Sequence, residues 1–167
     1  MNARSGFHLA AAALAAALVA ACSAPAYQAK PNEEIYGSWL GERPGQDRLV
    51  IAAGEIKQIA SADDPQLFNT YAQVITARWT DSEGSLWYKA AGTVTRGPAG
   101  LMGSKWQSLS RVSKSAASLE IMSIPVRDFD SKGYPEKLDP ESEYYAVYVR
   151  DSRAAFPHAV LYGDAWK

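Results

Sequence analysis

Between Tyr71 and Thr95 the chain alternates polar and apolar residues along two long arms around a short polar break. No other stretch limits the fold so tightly. A period of two sends successive side chains to opposite faces of a β-strand, so two such arms joined by a tight loop form a hairpin that buries one face. On the first arm Tyr71, Ile75, Ala77 and Trp79 share a side, with Gln73 as the exception, opposite Thr76, Arg78 and Thr80. On the second arm Leu86, Tyr88, Ala90 and Val94 stand opposite Ser85, Lys89, Thr93 and Thr95. Asp81-Ser82-Glu83-Gly84 reads as a four-residue loop with Gly84 in the left-handed conformation. Pairing Thr80 with Ser85 sets Trp79 across from Leu86, Ala77 from Tyr88 and Ile75 from Ala90. It leaves Arg78 outside, against Trp87.

The pattern recurs. Lys105 to Ile124 reads as a second hairpin turning at Lys114-Ser115-Ala116-Ala117, with Ser113 paired to Ser118, Val112 to Leu119 and Arg111 to Glu120, an opposite-charge cross-strand pair. Further strands are expected at Arg48–Ala52, Ile56–Ala60, Tyr144–Arg150 and near Ala159–Tyr162. One helical turn capped by Asp63-Asp64-Pro65 is expected to run through Asn69. Arg96–Gly103, with three Gly and one Pro, is a loop, and Arg127–Glu143 is a longer, highly charged one of the length that is usually functional or disordered. The expected fold class is all-β: an antiparallel meander closing into a small barrel or a strongly curved sheet.

The N-terminus reads as an address. Arg4 precedes Leu9–Ala21, 13 residues of Leu, Ala and Val, shorter than the roughly 20 that span a bilayer as a helix and suited to a signal-peptide core. It ends in Val19-Ala20-Ala21-Cys22, which resembles the lipobox of bacterial lipoproteins: a branched apolar residue, two small residues, then the cysteine whose thiol takes a diacylglyceryl group. The resemblance implies removal of residues 1–21, lipid on Cys22 and a membrane tether. Two or more acyl chains anchor stably. Ser23, where an Asp would signal inner-membrane retention, points to the periplasmic face of the outer membrane. Residues 22–34 read as lipidated Cys plus flexible linker, and 35–167 as a single domain.

Composition narrows the function. Cys22 is the only cysteine, which excludes internal disulfides and thiol or zinc-thiolate chemistry in the domain. One of the 17 basic residues, Arg4, lies in the leader, leaving 16 against 18 acidic ones with no basic stripe, so nucleic acid is not an expected partner. His158 is the only histidine beyond the leader and reads as structural. The chain has no Gly-x-Ser-x-Gly elbow and no phosphate-cradling Gly-rich loop. Asp128, Asp130, Gly133, Glu136 and Asp139 fall at calcium-loop positions, but Lys132 puts a cation where an oxygen ligand belongs. The paired carboxylates Asp81/Glu83 and Asp63/Asp64 read as solvated turns. No catalytic residue, metal or cofactor is expected.

The aromatics carry the positive expectation. Tyr71, Trp79, Tyr88 and Trp106 fall on inferred inward faces, where they pack a core or line a cavity. Gly37-Ser38-Trp39, at the start of the first strand, is similar to the Gly-x-Trp motif that opens lipocalins, eight-stranded barrels that often hold a small hydrophobic ligand in the mouth. The resemblance implies that Trp39 closes the barrel bottom with Arg150 packed over it. The family's Thr-Asp-Tyr motif has no match, since Thr80-Asp81 is followed by Ser82, and Phe156-Pro157 interrupts the region of its C-terminal helix. The expected function is a lipid-anchored, non-catalytic binding module for a small apolar or amphipathic ligand at Tyr71, Trp79, Tyr88 and Trp106. The alternative is an envelope lipoprotein that binds a protein, as a hydrolase inhibitor or assembly accessory, through the charged loop 127–143.

Overall fold

Period-two runs rich in β-branched and aromatic residues become strands because pleated neighbours pack such side chains well. The computed structural model describes residues 27–42, 48–59 and 68–151. Among these, eight strands follow in chain order: β1 (Gly37–Gly41), β2 (Arg48–Ala52), β3 (Glu55–Ile59), β4 (Phe68–Thr80), β5 (Leu86–Arg96), β6 (Lys105–Val112), β7 (Ser118–Val126) and β8 (Tyr145–Arg150). Each pairs antiparallel with the next, and β1 also pairs with β8, so the sheet closes into a barrel. This is the all-β meander expected from the sequence, and it is consistent with a lipocalin-like barrel. The leader, Cys22, His158 and the strand expected near Ala159–Tyr162 lie outside the described residues. So does most of the expected helical turn, whose last residue, Asn69, is strand in β4.

The second hairpin has the expected register, with Val112 opposite Leu119 and Arg111 opposite Glu120. Arg111 Nε donates to Glu120 Oε1 at 3.0 Å. The first hairpin needs a correction. Ile75 does oppose Ala90, but Thr80 opposes Leu86, Trp79 opposes Trp87 and Arg78 opposes Tyr88. The cause is a β-bulge: Thr76 is an extra residue on β4, between Ile75 and Ala77. One inserted residue reverses every later side chain. Gln73 and Ile75 therefore point inward as buried residues, and beyond the bulge Arg78, opposite the buried Tyr88, turns inward with its side chain half-buried, while Trp79 points outward with 40% of its surface exposed. The connection is Asp81–Ser85, with Gly84 at φ +87° as expected. Asp81 holds it: Oδ1 accepts the N–H groups of Glu83 and Ser85, and Oδ2 accepts the Trp87 indole.

The core fills the lower half of the barrel, where Trp39, Ile51, Tyr88, Val112 and Leu119 are almost wholly buried. The segment expected to be linker is described from Tyr27 onward, and there it lies against the barrel. Tyr27 packs on the core, and the Glu33 side chain is fully buried beside Arg78, its Oε2 3.2 Å from Arg78 Nε. A buried carboxylate without a partner costs several kcal/mol. Arg78, Tyr88, Tyr27 and the Lys30 N–H all face Glu33 and satisfy it.

Candidate functional site

The two ends of the barrel differ. At one end lie the N-terminal segment and the turns after β2, β4 and β6. Trp39 seals it, with its indole N–H on Ile35 O at 2.9 Å. Trp39 and Arg150 are neighbours on β1 and β8, and the Arg150 guanidinium carbon sits 3.7 Å from the centre of the Trp39 ring. Its nitrogens donate to the carbonyls of Tyr36 (2.6 Å), Glu34 (2.5 Å) and Ala116 (3.2 Å). Gly37, at φ +133°, is required here twice over: a Cβ would run into Arg150 Nη1, and L residues rarely adopt that φ. The Gly37-Ser38-Trp39 motif and Arg150 thus meet in one plug.

The opposite end is the mouth. A pocket of about 270 Å³ opens there, with Leu49, Ile121 and Tyr148 beneath it and Ile56, Tyr71 and Trp106 as walls. Its polar groups are few: Gln58, whose Oε1 accepts the Tyr71 hydroxyl at 2.8 Å, then Ser123 and, at the rim, Glu143. Tyr144 meets Trp106 edge-on with ring centres 6.5 Å apart. The neighbouring Glu143 charge pushes the Tyr144 phenol above its usual range. The Trp106 indole nitrogen is buried and has no hydrogen-bond partner among the described residues. A buried donor left without an acceptor costs about 1–3 kcal/mol, which a ligand acceptor would recover.

Four side chains were expected to share one cavity, and the structure separates them. Tyr71 and Trp106 line the mouth. Tyr88 is part of the filled core below, 1% exposed, with its hydroxyl on Glu34 at 3.1 Å. Trp79 is on the outer wall, because the Thr76 bulge turned it out. There it stacks on Trp87 with ring centres 5.9 Å apart. Arg111, not Arg78, lies over the Trp87 ring. Sequence patterning missed Gln58 and Glu143, whose roles depend on strands far apart in the chain. It also missed Gly92, where a Cβ would come within 3.2 Å of Ala72 O. Gly92 did carry a signal, since a glycine inside a strand often marks close approach. It stands opposite Trp106, and a side chain there would press on the β4 backbone at Ala72 beside Tyr71.

The charged loop after β7 folds down the outer wall as a strap. Gln107 on β6 clasps Asp130 through both backbone groups, donating to its O at 2.6 Å and accepting its N–H at 3.3 Å. Tyr134 shares a 2.8 Å hydrogen bond with the bulge residue Thr76, and Pro135 is buried. In the calcium-like stretch, Asp130 Oδ1 accepts Lys132 N and Ser131 Oγ, while Asp128 pairs with Lys105 at 2.9 Å. Those carboxylates serve the loop's own backbone and a lysine. Comparison with protein-family models, curated proteins and solved structures finds no match to this chain.

Proposed function

We propose that this chain is a lipid-anchored envelope lipoprotein that acts as a non-catalytic binding module, holding a small apolar or amphipathic ligand in the mouth of its barrel. The observation that carries the reading is the mouth pocket itself: apolar walls, few polar groups and a buried Trp106 N–H without an acceptor among the described residues. This is the usual make-up of a small-ligand site. At about 270 Å³ over a filled core, the pocket suits one ring or a short acyl chain rather than a long fatty acid. Glu143 at the rim favours a head group that donates hydrogen bonds or carries positive charge, and disfavours a carboxylate. The tether rests on the Val19 to Cys22 motif.

Titrating small amphiphiles with neutral, cationic and anionic heads tests the ligand, with tryptophan emission as readout. Neutral or cationic heads should change the emission, Trp106→Phe should abolish the change, and Trp79→Phe should leave it. A response that survives Trp106→Phe would place the ligand elsewhere. Cys22→Ser tests the tether: the variant should leave the membrane fraction or accumulate uncleaved, and normal processing with unchanged partitioning would refute it. The second reading, a protein-binding module, is favoured by the strap, which is fixed on the wall and yet keeps Phe129 47% exposed. Phe129→Ser should then weaken capture of a partner without changing the amphiphile titration.

A further inference from the structure

The bulge at Thr76 leaves an apolar patch on the outside of the β4–β5 hairpin. Val74 is 65% exposed, and Trp79, on the same outer face five residues later, is 40% exposed and stacked on Trp87. This stretch is also a sheet margin, because β3 pairs with β4 only over Phe68–Ala72 and a single further bond joins Gln73 N to Gly54 O. Beyond that point β4 has a strand beside it on the β5 side alone among the described residues.

The chain enters at the same place. Tyr27 lines a cleft together with Gly54, Gln73 and Val74, at the sealed end of the barrel. Cys22 lies five residues before Tyr27, and five residues fully extended reach at most about 18 Å. A lipid carried on Cys22 therefore holds the sealed end close to the bilayer.

We infer that the sealed end is a membrane-docking face, with Val74, Trp79 and Trp87 seated among the lipid head groups and the mouth turned away from that membrane. The inference rests on the lipid anchor of the proposed function. Indole suits the interface because its body is apolar and its N–H is polar. The anchor makes the contact intramolecular, so a patch too weak to bind vesicles alone is enough. The neighbouring charges have both signs, Asp81 and Glu136 against Lys89 and Arg111, with Glu83 in the turn beside them. The aromatic pair, not attraction to anionic lipid, thus drives the contact. The orientation leaves the ligand pocket open to the aqueous side.

The test uses the full lipidated protein, extracted from membranes and reconstituted into phosphatidylcholine vesicles with brominated acyl chains, which quench tryptophan on contact. Emission should be quenched relative to unbrominated vesicles. Trp79→Phe combined with Trp87→Phe should remove most of the quenching, Val74→Asp should reduce it without touching the core, and Trp106→Phe should leave it. Quenching that survives the Trp79→Phe, Trp87→Phe double variant would put another face against the bilayer and overturn the inference, and its disappearance in Trp106→Phe would identify that face as the mouth. An acylated protein with no quenching would overturn it as well. The mass of the Cys22 peptide, read on the same sample, separates the two failures: without acyl chains the anchor itself falls, whereas with them only the docking does.

Discussion

Trp39 and Trp79 are both tryptophans on strands, yet one has no exposed surface and the other keeps 40%. Trp39→Ala should cost about 3–5 kcal/mol, as truncation of a buried Trp does. Trp79→Ala forfeits mainly its stack on Trp87, worth about 0.5–1.5 kcal/mol. Urea unfolding of the two variants measures the difference, and equal losses would contradict the outward placement of Trp79. Ala116 offers the opposite opportunity. It sits at φ +54°, the one described non-glycine residue with positive φ. That conformation costs an L residue about 1–2 kcal/mol, against about 0.5–1 kcal/mol of extra chain entropy for Gly. Ala116→Gly should therefore raise the urea midpoint, by up to about 1 kcal/mol in stability. The absence of glycine from this turn is visible in the sequence, but which residue takes the left-handed position is not.

Among the elements, the strap depends on Gln107. It lies on the outer face of β6, and both halves of its amide are occupied by Asp130. Gln107→Ala leaves that N–H and carbonyl without their partner, at about 1–3 kcal/mol if they stay buried. Backbone amide exchange should then speed up at Asp130 and Gly133 while β6 itself keeps its protection. Unchanged exchange in the loop would mean that Tyr134 and Pro135 hold the strap without Gln107. The two hairpins differ in how far they could be read from sequence. In β6–β7 the strands pair residue for residue, so counting outward from the turn gave Arg111 opposite Glu120. In β4–β5 the count was correct as far as Ile75 opposite Ala90 and failed on the other side of Thr76.

For the whole molecule, stability should depend on pH through phenols tied to carboxylates. Burial raises Tyr27, Tyr88 and Tyr145, and Glu33, Glu34 and Glu120 beside them add to the effect. Tyr27 and Tyr145 are pushed up to about 12. An unfolded tyrosine ionises near pH 10. Between about pH 10 and 12 the unfolded chain thus loses protons that the folded one keeps, and stability falls as pH rises. Glu34 acts at the acid end. Backbone hydrogen bonding, followed by bonds from Tyr88 and Arg78, lowers its pKa, so its contribution is present above about pH 4.3 and lost as pH falls further. Urea midpoints across pH should form a plateau with both flanks descending, and Tyr88→Phe should make the alkaline flank shallower. The sequence by itself determined what depends on local alternation: the antiparallel meander, the inward face of β5 and the register of β6 with β7. Only the tertiary structure decided which way Trp79 points and how deep the mouth runs. Alternation is counted from neighbour to neighbour, whereas the bulge that turns Arg78 inward sets it against carboxylates some 44 residues away. The depth of the pocket is likewise a matter of volume, left over after side chains from all the strands have filled the barrel below it.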